Sequence, residues 1–335
     1  MKRDMKKWLQ DMIAAPKKKA IPVLSFPAIQ LMDISVKDLI SSSELQAQGM
    51  KLIADRVPTA AVLSLMDLSV EAECFGSEIR KSDDEVPTVI GSVVADERSV
   101  FDLPVPQVGA GRTGIYVEAV TKAVNLIQDR PVLAGTIGPF SLVGRLMDVS
   151  EAMVYCYEEP EMVAALLKKA TDFITAYIQA FKDAGAHGVV MAEPLAGLLS
   201  PALSAEFSCT YVKKIVNAVQ DDNFIVVYHN CGNNTIQMID DILTTGAAAY
   251  HFGNAIAMPE MLPHIPADIV VMGNVNPAAE FRNGTPDSVY QATLGVLDAC
   301  NQYSNFVISS GCDIPPLSPW ENIDAFFKAV EDFYA

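Results

Sequence analysis

Apolar positions along the chain fall into two patterns. Short, nearly unbroken runs rich in Val, Ile and Ala occur at 21–26, 60–67, 131–138, 188–194, 224–232, 247–254, 269–277 and 306–312. A run without polar alternation predicts a parallel strand covered on both faces. Between the runs, apolar residues recur three and four positions apart, the spacing of one helix face. Such stretches occupy 35–57, 115–127, 160–184, 203–219, 235–243, 288–301 and 318–334, with 160–184 the longest. The N-terminal segment reads as a further amphipathic helix carrying Trp8, Leu9 and Met12.

Strand followed by helix, eight times over, predicts a closed (β/α)8 barrel, a TIM barrel, rather than an open doubly wound sheet. No repeat, low-complexity tract or linker divides the chain, so residues 1–335 are expected to form one barrel domain. One connection is too long for a simple loop. Residues 75–114, between the second run and its helix, read as an insertion on the C-terminal rim. Within it, 88–95 and 99–103 could pair as a small hairpin, and 104–112 is turn-rich. In a barrel that rim is where loops build active sites.

Composition narrows the class. Half the residues are hydrophobic and 19% are charged, enough for a large core and unlike a disordered chain. No stretch has the roughly 18 consecutive apolar residues of a membrane span. The basic N-terminus (Lys2, Arg3, Lys6, Lys7) lacks the apolar run and cleavage site of a signal peptide. The expectation is a soluble cytoplasmic protein with no membrane partner. A net charge of −17, dispersed along the chain, disfavours nucleic acid as a partner. In a cytoplasmic chain of this size, six cysteines are expected to be mostly buried free thiols.

Three polar residues stand out at the strand ends. His229 and Cys231 end the fifth run; two positions apart on a strand, they point to the same side. Cys312 ends the eighth run. A barrel gathers its strand ends around one mouth, so the three can meet despite their separation in sequence. One imidazole and two thiolates suit zinc, and three protein ligands leave a vertex for substrate. Read alone, His-x-Cys also fits a hydrogen-bonded strand-end histidine; the second, independent strand end is what favours a metal.

Other side chains are candidates for the same mouth. Glu193 ends the fourth run and reads as a weak fourth ligand, a general base, or a pocket residue without metal contact. Asp67, Glu71 and Glu73 lie at or beyond the end of the second run. Asp67 is the catalytic candidate among them, and at least one of the three is expected at the surface. His251 could bind substrate or be a packed or hydrogen-bonded histidine; Asn254, Asn274 and Asn276 are expected to line the substrate pocket. His187 and His264 receive no role, and Cys74, Cys156, Cys209 and Cys300 read as buried or helical thiols.

Several stretches resemble the uroporphyrinogen decarboxylase superfamily, within it the cobamide-dependent methyltransferase branch. They are Met-Asp-Leu-Ser-Val-Glu-Ala-Glu-Cys-Phe-Gly at 66–76, Gly-Pro-Phe at 138–140, Glu-Pro-Leu-Ala-Gly-Leu-Leu-Ser-Pro at 193–201, Glu-Phe-Ser at 206–208 and Gly-Asn-Val-Asn-Pro at 273–277. The His-x-Cys…Cys pattern is that branch's zinc signature, and His229, Cys231 and Cys312 match it. The decarboxylase branch carries an arginine-rich segment near the N-terminus for porphyrin carboxylates. Here the first run and its continuation, 21–30, contain no arginine.

The resemblance implies methyl transfer between methylcobamide, carried by a separate corrinoid protein, and a small thiol. The ligand set adds a mechanism: zinc would remove the proton from a coordinated thiol, and two cysteinates would keep that sulfur electron-rich for attack on the methyl group. A metal-free decarboxylase-like lyase and a non-catalytic zinc-stabilised barrel that binds a corrinoid protein remain the alternative readings.

Overall fold

The computed structural model describes residues 3–335, so Lys2 of the basic N-terminal segment lies outside it. Seven of the eight apolar runs form one parallel sheet. Its strands are β1 (Val62–Leu63), β2 (Val132–Ile137), β3 (Gly188–Ala192), β4 (Ile225–Asn230), β5 (Ala249–Phe252), β6 (Val270–Val275) and β7 (Phe306–Ser310), hydrogen-bonded in that order. Successive residues enter two different apolar layers. Leu133, Val190, Val227, Met272 and Val307 join an inner cluster, whereas Val132, Val189, Val226, Val271 and Ile308 join an outer one. Both faces are therefore dry, which is why the runs show no alternation.

The first run closes the ring without regular pairing. Ile21 N donates to Ile308 O (3.1 Å) on one side, and Ala60 N donates to Ala20 O (2.9 Å) on the other. Ile21 and Val23 belong to the inner cluster, Leu24 and Phe26 to the outer. The segment thus behaves as the eighth stave between β7 and β1, and the barrel expected from sequence is the architecture observed.

Helix α1 (Met5–Ala14) caps the N-terminal end of the barrel, with Trp8, Leu9, Met12 and Ile13 against the inner cluster. Its start is fixed by Asp4, whose side chain accepts from Lys7 N. The outer helices include α2 (Ser43–Arg56), α3 (Thr113–Leu126), α4 (Pro139–Met147), α5 (Pro160–Asp183), α6 (Thr210–Val219), α7 (Pro286–Cys300) and α8 (Trp320–Phe333). On α5, Leu166, Ala170, Phe173, Ile174, Tyr177 and Phe181 are buried at helical spacing. Each large apolar side chain so buried contributes about 1.5–3 kcal/mol.

Two helical stretches are broken where they read as continuous. The stretch 35–57 divides into Val36–Ile40 and α2, because Ser42 accepts from Leu45 N and starts a new helix. The stretch 203–219 begins in Pro201–Ser204 and a π-helical turn, Ala205–Cys209, before α6. The insertion also differs from expectation. Its hairpin pairs Glu78–Arg80 with Thr88–Ile90. Residues 99–102 are instead helical, within Glu97–Asp102, because Asp96 accepts from Ser99 N and Ser99 Oγ donates back to Asp96 O. That local capping outweighs the alternating pattern. Among the described residues, no helix is long and apolar enough to cross a membrane.

Candidate metal centre

Three strand ends build the site. His229 is the penultimate residue of β4, Cys231 follows that strand, and Cys312 lies two residues beyond β7. Their donor atoms all lie within 4.8 Å of one another, the one such group of three His, Cys, Asp or Glu side chains among the described residues. Cys312 Sγ is 3.6 Å from His229 Nε2. A zinc tetrahedron with ordinary Zn–S and Zn–N bonds has an S···N edge of about 3.5 Å. The spacing and the donor chemistry both fit that ion.

The neighbours of His229 fix which nitrogen is free. Ser309 Oγ gives its only proton to Ile21 O (2.6 Å) and so accepts from His251 Nε2 at 2.8 Å. His251 Nδ1 therefore presents a lone pair, which accepts from His229 Nδ1–H at 2.7 Å. That leaves the lone pair of His229 on Nε2, beside Cys312. Burial, and then the neighbouring His229, hold the His251 pKa well below the ordinary imidazole range, so its ring stays neutral. The strand register supplies this pairing directly, since His229 and His251 are partners across β4 and β5.

The two sulfurs share a proton. The hydrogen bond with Cys312 brings the Cys231 thiol down to about 7 against the opposing effect of burial. The same bond, with burial, pushes Cys312 up to about 12. One thiolate forms readily; the second forms when a cation replaces the shared proton. Close backbone approach makes room for the cluster. A Cβ on Gly253 would collide with the Cys231 side chain, and one on Gly311 would lie 2.7 Å from Asn254 N. Neither Gly232 nor Gly311 has a positive φ; their need is for space.

Glu193 is fully buried and turned toward the start of α4. Its Oε1 accepts from Ser141 N (2.6 Å) and Ser141 Oγ (2.7 Å), and its Oε2 from Phe140 N (3.2 Å). Burial raises its pKa to about 7, against these hydrogen bonds. It is not one of the three converging donors. Asp67 is also buried; it accepts from Ser69, Tyr116 and the Arg112 guanidinium. Arg112 Nε donates to Glu73 as well, which ties the end of the insertion to the short helix Val70–Cys74 after β1. Glu71 is buried too, accepting from Thr136 Oγ and Ile137 N at 3.0 Å each. None of the three carboxylates is a free surface group, contrary to expectation.

The asparagines serve the backbone. Asn274 Nδ2 donates to Gly253 O and Ile256 O, and Asn276 Oδ1 accepts from Ala278 N and Ala279 N. Asn254 is exposed, and all three line a cavity with Ala292 and Val296 of α7. His251 stands behind His229. Cys156, Cys209 and Cys300 are buried thiols whose pKa burial raises to about 12. Sequence reasoning missed Ser309, Ser141 and Arg112. The first two are small polar residues in apolar surroundings, and Arg112 sits in the turn-rich part of the insertion.

A family profile described as uroporphyrinogen decarboxylase (URO-D) matches residues 7–333. A methylcobamide:CoM methyltransferase, MtbA, of Methanosarcina acetivorans is 28% identical over 280 residues, 82% of this chain and 80% of that protein. A uroporphyrinogen decarboxylase of Coxiella burnetii is 25% identical over 287 residues, covering 83% and 78%. A solved methyltransferase from Methanosarcina mazei shares the fold, with a TM-score of 0.86 over 99% of both chains at 23% identity. The family resemblance read from the sequence is borne out: the chain belongs to the uroporphyrinogen decarboxylase family.

Proposed function

We propose that this chain is a methyltransferase that moves a methyl group between a corrinoid and a small thiol, using zinc held by His229, Cys231 and Cys312. The observation that carries the reading is the convergence of one imidazole nitrogen and two sulfurs from two distant strand ends. Relatives bear the names of both a methylcobamide:CoM methyltransferase and a decarboxylase. The sulfur pair favours the first, since decarboxylation of a polyacid calls for cations rather than thiolates. Six free cysteines suit a reducing cytoplasm.

Bound at this site, zinc would supply the Lewis acidity that keeps an acceptor thiol deprotonated near neutral pH. The chain's own residues set the conditions for it. His229 adds no charge, and Cys231 and Cys312 add one negative charge each, so together they balance a dication. His251 and Ser309 hold the His229 ring with Nε2 forward. Glu193, with a pKa near 7, suits the role of base for the thiol proton better than that of ligand, because its oxygens already serve Phe140 and Ser141. Asp67, committed to Arg112, anchors the rim insertion in this reading. The corrinoid arrives on a partner protein that docks on the rim, the 75–114 insertion included.

Cys312→Ala tests the proposal. The variant should keep its circular dichroism spectrum, lose zinc, and fall to background in methyl transfer from methylcobalamin to thiols. Undiminished thiol methylation would reject the reading. Unfolding of the wild type on zinc chelation would point to a structural ion instead.

A further inference from the structure

A cavity of about 340 Å³ lies in the seam between the α1 cap and the barrel. The cap and its lead-in supply Arg3, Trp8, Asp11 and Met12, and the barrel supplies Asp129, Arg130 and Val307. Lys17, Lys18 and Lys19, in the link from α1 to the first stave, complete the wall. Val307 stands near the start of β7, and Cys312 lies beyond its end, so the cavity and the metal donors occupy opposite ends of the barrel.

Five cations and two carboxylates line this cavity, whereas the whole chain has 24 Lys and Arg against 41 Asp and Glu. Both carboxylates are already held. Asp11 accepts from Lys7 Nζ at 2.7 Å, and Asp129 is paired with Arg130 at 2.6 Å. Arg3 and Lys18 meet carbonyls, which carry no net charge. Arg3 NH2 donates to Gln128 O at 2.9 Å, while its buried Nε has no partner among the described residues. Lys18 Nζ donates to Met12 O (2.6 Å), Ser304 O (2.7 Å) and Ile13 O (3.3 Å), and burial lowers its pKa. Lys19 is exposed, and the carboxylate whose charge it feels is the Asp129 already held by Arg130.

Holding like charges together around a concave surface costs energy that a bound anion removes. A single carboxylate would leave most of this charge unmatched; a phosphate dianion would not. The unpartnered Arg3 Nε and the exposed Lys19 ammonium offer it charge-assisted hydrogen bonds, in the field of the pinned Lys18. Trp8, Met12 and Val307 add an apolar wall for a group attached to the phosphate. The volume is at the small end of the range for ligand cavities.

We propose that this cavity binds a small organic phosphate, its phosphoryl group on Arg3 and Lys19 and its apolar part against Trp8. The ligand would join the α1 cap to the barrel. The site is separate from the metal donors and stands independently of methyl transfer.

The test is calorimetric titration of the full chain at constant ionic strength with phenyl phosphate, inorganic phosphate and benzoate. Circular dichroism confirms folding of each variant. Wild type should bind phenyl phosphate saturably at one site, more tightly than inorganic phosphate or benzoate. The double variant Arg3→Gln/Lys19→Gln should lose about tenfold or more, the loss expected for two charge-assisted bonds. Lys6→Gln removes a cation from the same end of the barrel but from a different cavity. It should change the affinity by less than about twofold. Tryptophan fluorescence should respond to phenyl phosphate in wild type and not in Trp8→Phe, which retains only Trp320. Absence of saturable binding of either phosphate would overturn the proposal. So would equal weakening by Lys6→Gln, which would indicate bulk charge alone. Benzoate binding as tightly as phenyl phosphate would overturn the choice of phosphate, and inorganic phosphate doing so would overturn the organic part.

Discussion

His251→Phe removes both ring nitrogens behind the proposed metal ligand and isolates the contribution of the buried relay. In the native chain, protons run one way: His229 Nδ1 to His251 (2.7 Å), His251 Nε2 to Ser309 (2.8 Å), Ser309 to Ile21 O (2.6 Å). Without His251, nothing of that strength keeps the His229 proton on Nδ1, and the tautomer protonated on Nε2 cannot bind a metal through that nitrogen. Loss of such a supporting partner costs roughly ten- to a hundredfold in metal affinity. The main-chain oxygen of residue 251 stays 3.3 Å from His229 Nδ1 as a weaker acceptor. The expected loss is therefore at the lower end, about tenfold or ~1.4 kcal/mol. Ser309→Ala removes only the outer acceptor and should cost less. Competition between protein and a chromophoric zinc chelator at pH 7.5 measures both, with thermal melts to confirm folding. Unchanged affinity in a folded His251→Phe protein, or a larger loss in Ser309→Ala, would refute the relay.

Two further predictions concern buried charge. Burial raises the Glu71 carboxyl to about 7 from an ordinary 4.5, so the folded state holds a proton that the unfolded chain releases. The stability this brings is full below about pH 4.5 and is lost as pH rises through about 7, on the order of 3 kcal/mol at most. Glu71→Gln should therefore raise the Tm more at pH 8 than at pH 5; an equal shift at both would reject the assignment. Arg112→Ala strands the buried Asp67 carboxylate and should cost about 3–5 kcal/mol in urea denaturation. A cost below 1 kcal/mol would show that the network is not what anchors the insertion.

The barrel was legible because parallel strands dry on both faces leave unbroken apolar runs. Even 21–26 read as a strand, since Ile21 and Val23 face inward while Leu24 and Phe26 face outward, although its backbone pairs irregularly. Helix interruptions were hidden, because the Ser42 cap and the π turn at 205–209 depend on single local hydrogen bonds and do not disturb apolar spacing. His229, Cys231 and Cys312 were legible as soft donors at converging strand ends. Their supporting contacts were not. His251 was legible as a hydrogen-bonded histidine, but its partners His229 and Ser309 follow from cross-strand register, which a single sequence does not specify. Asn274 and Asn276, expected as pocket lining, also brace main-chain groups, which only geometry reveals.

Zinc-edge X-ray absorption of the full chain, with and without small thiols, tests the central claim most directly. The account predicts two sulfur neighbours and one imidazole nitrogen in the protein alone, and a third sulfur on addition of the acceptor. A sulfur count that no thiol changes, or a resting site with fewer than two sulfurs, would contradict it.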